Sequence, residues 1–84
     1  MQVRDWNDYQ AFIVVAQTGQ IARAAKKMGV DATTVGRRLR RLEGQIGSTL
    51  FEQTREGQAL TEAGEKLLAS IEIMATAAET AQPT

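Results

Sequence analysis

The tightest constraint on this 84-residue chain is its punctuation by Gly19, Gly29 and Gly47. The stretches between them are short, and isolated helices below about 12–15 residues are marginal in water, so they persist only by packing on one another. Met28-Gly29-Val30-Asp31 sets the geometry of that packing. Gly29 tolerates the positive φ of a tight turn, and Asp31 is a good N-cap whose carboxylate meets free backbone N–H groups. Before the turn, Trp6 to Thr18 places Tyr9, Phe12, Ile13 and Ala16 at i, i+3, i+4, i+7, which predicts a helix buried along that stripe. A second helix, from near Gln20 to Met28, turns Ile21, Ala24, Ala25 and Met28 to one side, and its small alanine pair admits a neighbouring helix closely. The third, capped by Asp31, buries Val35, Leu39, Leu42 and Ile46. That leaves Thr33, Gly36, Arg37 and Arg40 roughly 100–200° away around the axis.

Beyond Gly47 and Ser48, two short arms, Leu50 to Thr54 and Gln58 to Leu60, flank Arg55-Glu56-Gly57 and predict a two-stranded hairpin. Thr61 is an N-cap for a final long helix that Pro83 closes. Its Leu60, Gly64, Leu67, Ile71, Met74, Ala78 and Ala81 follow a sustained 4-3 spacing. A stripe that long extends beyond a body of some sixty residues, so a second surface is needed to bury it. Leu67, Ile71, Met74 and Ala78 are therefore the expected dimerisation residues. The expected fold is mainly α: a winged helix-turn-helix of three helices and a two-stranded wing over 1–60, then a long linker helix and tail over 61–84.

The chain has no Cys and no His, which removes disulfides, thiolate metal sites, cysteine nucleophiles and the usual general base. No cofactor, metal site or catalytic activity is expected. No apolar run approaches the roughly 20 residues of a membrane span and no signal peptide precedes Arg4, so a cytoplasmic protein is expected. Formal net charge is zero, but it is unevenly spread. Residues 20–42 carry seven cations against Asp31, a balance of +6, while residues 43–84 sum to −5 and the first 19 to −1. Such polarity points to an anionic partner at the centre of the chain.

Two short helices joined by a Gly-containing turn form a helix-turn-helix, and a following hairpin makes it winged. There the second helix of the motif enters the major groove of double-stranded DNA, N-terminal residues first. Arg37 suits guanine O6 and N7, Thr33 and Thr34 offer hydroxyl or methyl groups, and Gly36, which costs about 1 kcal/mol against Ala in a helix, lets the helix seat deeper. A solvated basic face and a merely tolerated glycine are the bland alternatives for each feature taken singly. Arg38 lies nearer the buried face and is expected to snorkel along the core edge. For Arg41, phosphate and the neighbourhood of Glu43 are both open.

The stretch from Trp6 to Leu68 resembles the N-terminal domain of LysR-type transcriptional regulators. The matching motifs are Tyr9-x-x-Phe12, Val15-Ala16-x-x-Gly19, Ala24-Ala25, Val30-Asp31-Ala32-Thr33-Thr34-Val35-Gly36-Arg37-Arg38-Leu39, Arg41-Leu42-Glu43, Ile46-Gly47, Leu50-Phe51-Glu52 and Leu60-Thr61-Glu62-Ala63-Gly64. The resemblance implies a homodimer through antiparallel linker helices, an inverted-repeat operator, and control by a small-molecule effector in a C-terminal domain that this chain lacks. It assigns base readout to Ala32, Thr33, Gly36 and Arg37, and backbone contacts to Gln20 and to neighbouring residues, taken here as Arg23, Thr34, Arg40 and Arg41. It puts the wing, through Gln53 and Arg55, at the minor groove. The chain departs from the family where Ser commonly stands at Gln20 and Gly36, Gln at Ala32, and Arg at Gln53 and Glu56. Glu56 has the wrong sign for a phosphate-lined groove, which leaves Arg55 to serve it. A winged-helix protein-interaction module and another regulator family, such as the molybdate-responsive repressors, are the alternatives.

Overall fold

The structure is a computed structural model that describes residues 6–81, with side chains through Met74. The helices are α1 (Trp6–Thr18), α2 (Ile21–Met28), α3 (Ala32–Ile46) and α4 (Glu62–Ala81), with strands β1 (Phe51–Thr54) and β2 (Gly57–Leu60) before the last helix. Pro83 and the side chain of Ala78 lie outside the described residues.

The turn chemistry works as the sequence requires. Gly29 takes φ 73°, its N–H donates to the Lys26 carbonyl and that of Val30 to the Ala25 carbonyl, so α2 closes in the paired bonds that a left-handed glycine permits. Two residues on, Asp31 accepts the Thr34 N–H at 2.7 Å and opens α3. The three helices then enclose Phe12, Val15, Val35, Leu42 and Leu50, all fully buried. Ala24 and Ala25 are also buried, which lets the backbone of α2 approach its neighbours closely.

The buried face of α1 differs from the expected one. Asp8, Ala11, Phe12, Val14 and Val15 are buried, whereas Tyr9, Ile13 and Ala16 are only partly so. Because α1 is apolar on nearly every side, two overlapping stripes satisfy the helical period. The α2–α3 pair takes one, and the other lines a shallow cleft beneath Leu68 and Ile71 of α4.

β1 and β2 pair antiparallel, Phe51 opposite Leu60 and Thr54 opposite Gly57. The hairpin is tighter than the sequence suggests, since Gly57 belongs to the strand and Arg55-Glu56 alone form the tip. Gly57 supplies the positive φ, at 131°. A Cβ there would collide with the Gly19 carbonyl oxygen, which accepts the Gln58 N–H at 2.7 Å. The wing is thus seated on the α1–α2 turn. α4 is fixed at its start: Thr61 Oγ1 accepts the Gly64 N–H at 3.1 Å and the Thr61 N–H reaches the Leu50 carbonyl at 3.0 Å.

Candidate nucleic-acid interface

α3 carries the candidate reading face. Ala32, Thr33, Arg37 and Arg40 are exposed and Gly36 is half-buried, while Val35, Leu39 and Leu42 hold the opposite side in the core. At about 100° per residue, Thr33, Arg37 and Arg40 fall within one narrow sector. The cap tunes its own electrostatics: hydrogen bonds from the Thr34 hydroxyl and backbone N–H, with the Arg37 guanidinium nearby, hold the Asp31 carboxyl below its ordinary value of 3.8. Half-buried Thr34 therefore serves the cap.

Gly36 is helical, and a Cβ there would meet only Arg40 Nη1, at 3.4 Å. Among the described residues, nothing requires glycine at this position. Arg40 lies across it, so a guanidinium covers the bare backbone on the exposed side.

The other cations are distributed around this helix. Arg23, Lys26 and Lys27 are exposed on α2, the two lysines in its last turn, where they oppose the negative end of the helix dipole. Gln20 precedes α2 in extended conformation and makes no side-chain cap. It borders an open cleft shared with Ile21 and the wing residues Gln53, Arg55, Glu56, Gly57 and Gln58. At the tip Arg55 and Glu56 are both exposed, and Gln53 Oε1 accepts from Gln58 Nε2 at 2.6 Å across the strands. Arg38 is half-buried beside Val14, Met28 and Val30, in keeping with a snorkelling stem.

Two residues behave differently from the open alternatives. Arg41 turns to α1, its Nε 3.5 Å from Oδ2 of buried Asp8. Glu43 instead accepts the Leu50 N–H at 2.9 Å and ties α3 to the wing. Asp8 lies in the first turn of α1, where a carboxylate suits the helix dipole, so sequence explains its place there but not its burial or its pairing with Arg41.

On α4, Leu67 and Ile71 are half-buried and pack against the molecule's own core. Ile71 therefore reaches back farther than its distance along the helix suggested. Met74 is 61% exposed, as is Ile73 at 69%, a residue outside the 4-3 stripe that the spacing did not single out. Trp6 is likewise exposed, its ring 6.2 Å from that of Tyr9.

Residues 6–65 match the family model of the bacterial regulatory helix-turn-helix proteins of the lysR family. The chain belongs to the LysR family. Among its relatives, the Mau operon transcriptional activator of Paracoccus denitrificans is 37% identical over 75 residues, 89% of this chain and 26% of that protein. The transcriptional regulator YgfI of Escherichia coli is 45% identical over 56 residues, 67% of this chain and 19% of the relative. The chain thus spans about a quarter or less of the length of these two relatives. Among solved structures, the CbnR DNA-binding domain in complex with DNA superposes with a TM-score of 0.78 at 31% identity, covering 92% of this chain and 90% of that one. CbnR as a longer LysR-family chain gives 0.80 at 31% identity, with 92% and 27% covered. The match favours the LysR reading over the molybdate-responsive repressors. Among the described residues no group of His, Cys, Asp and Glu is placed to hold a metal, and no helix is long and apolar enough to cross a membrane.

Proposed function

We propose that the chain is the DNA-reading part of a transcription regulator, a cytoplasmic binding protein without catalytic activity that sets α3 into the major groove of an inverted-repeat operator. The observation that carries this reading is the face of exposed Thr33, Arg37 and Arg40, with half-buried Gly36 between them, on a helix capped by Asp31 and braced from behind by α1 and α2. Arg37 makes the paired hydrogen bonds to guanine, Thr33 reads a neighbouring base edge, and Ala32 and Gly36 allow close approach. Arg40, Arg23 and Gln20, at the entry to α2, contact phosphates, and Arg55 with Gln53 places the wing at the minor groove. Likeness to the CbnR DNA-binding domain, solved in complex with DNA, supports this docking.

Two copies pair through α4, where Met74 and the half-buried Leu67 and Ile71 offer the apolar side, continued by Ala78 in sequence. A two-fold operator follows from a two-fold protein. A small-molecule effector acts through the part of the LysR relatives that this chain does not span.

The test is binding to operator and random duplexes across a salt series. Each phosphate neutralised contributes about 0.9 to the slope of log K against log salt, so a steep negative slope is expected. Salt-independent affinity, or equal affinity for both duplexes, would refute sequence-specific DNA binding.

A further inference from the structure

Arg41 stands one turn beyond Arg37, about 40° around the axis, so its position on α3 brings it to the border of the reading face. Its guanidinium does not stay there. It turns to α1, where Nε lies 3.5 Å from Oδ2 of Asp8, a carboxylate with no exposed surface, while the Arg41 side chain keeps 46% of its own. A buried carboxylate is costly without compensation, and Arg41 of α3 brings a guanidinium to Asp8 of α1.

We propose that Asp8 is a specificity-determining positioning residue: it draws Arg41 out of the phosphate-facing surface and fixes the second half of α3 to α1. The inference rests on the DNA-binding reading above. It gives the seven cations of residues 20–42 unequal roles. A guanidinium free to seek phosphate would strengthen binding to every sequence equally, and its sequestration leaves a larger share of the affinity to the base-reading end.

The salt slope tests this, because it counts neutralised phosphates and is insensitive to a purely structural loss of affinity. Five proteins are compared on operator and random duplexes: the 84-residue chain, Arg41→Gln, Asp8→Asn, the double variant and Arg40→Ala. Arg41→Gln is expected to leave the slope unchanged, whereas Arg40→Ala, as a reference, lowers it by about 0.9. Asp8→Asn is expected to steepen it by about 0.9 and to tighten random-sequence binding about eightfold at 0.1 M salt, the factor that slope implies relative to 1 M. The operator-to-random ratio falls as the random-duplex affinity rises, and the double variant returns to the wild-type slope. A slope lowered by about 0.9 in Arg41→Gln makes Arg41 a phosphate contact and overturns the proposal, as does an unchanged slope in a folded Asp8→Asn. Should Asp8→Asn fail to fold, the Arg41→Gln slope decides alone. A wild-type chain that binds no DNA overturns the functional reading itself, and this proposal with it.

Discussion

Replacing Gly36 by Ala separates what the fold needs from what DNA needs. The position is helical, and the added Cβ meets only the far end of Arg40, at 3.4 Å. Folding therefore gains the helix-propensity difference, about 1 kcal/mol, worth about 4–8 °C in Tm for a domain of this size. On DNA the sign reverses, because the methyl group fills the space through which α3 approaches the groove. If the fit is as close as that of a protein interior, the over-packing costs about 1–3 kcal/mol, or roughly 5- to 150-fold in Kd. Gly44 is the control. It is helical too, with nothing within 4 Å of a Cβ, and it lies about 12 Å farther along the axis. Gly44→Ala should raise Tm similarly and leave the operator Kd unchanged. Thermal melting by circular dichroism and fluorescence anisotropy on a labelled operator measure both quantities. A Gly36→Ala protein that melts higher and binds as tightly as wild type would refute close approach at Gly36.

Three further outcomes are expected. The Asp31 carboxyl, held below 3.8, contributes stability that is complete above the ordinary carboxylate value and is lost as pH falls through the lowered one; acid melting of Asp31→Asn should lack that component, as Tm against pH will show. Gly57→Ala forces a Cβ onto the Gly19 carbonyl at φ 131°, so it should destabilise the domain by about 1–3 kcal/mol and shift the wing amide resonances of Gln53 and Gln58. Met74→Asp should convert a dimer to a monomer in sedimentation at micromolar concentration, without loss of helicity; it isolates the interface better than Ile71→Asp, because Ile71 also packs on the chain's own core.

The elements whose ends are set by local chemistry were legible in the sequence. Gly29 and Asp31 act within a few residues of themselves, so the turn and the start of α3 follow from residue type alone. The same holds for the core side of α3, where a single stripe of Val35, Leu39 and Leu42 stands against polar neighbours. α1 was less legible because its apolar residues satisfy two helical stripes at once, and only the contacts of α2, α3 and α4 choose between them. The wing's seat is a backbone contact between Gly19 and Gln58, and no periodicity encodes it. The site divides in the same way. The exposure of Thr33, Arg37 and Arg40 follows from their angle to Val35, but the destination of Arg41 depends on a carboxylate 33 positions away, a pairing that only the tertiary fold reveals.

The central claim is that the N-terminal half of α3 reads bases in the major groove. Methylation interference tests it most directly, on a site selected from random duplexes by the 84-residue chain, because guanine N7 faces that groove. Interference is expected at guanines in two half-sites on one face of the duplex, about one helical turn apart or a multiple of it, with one guanine per half-site losing its effect in Arg37→Ala. Enrichment of no sequence, or interference confined to adenine N3 in the minor groove, would contradict it.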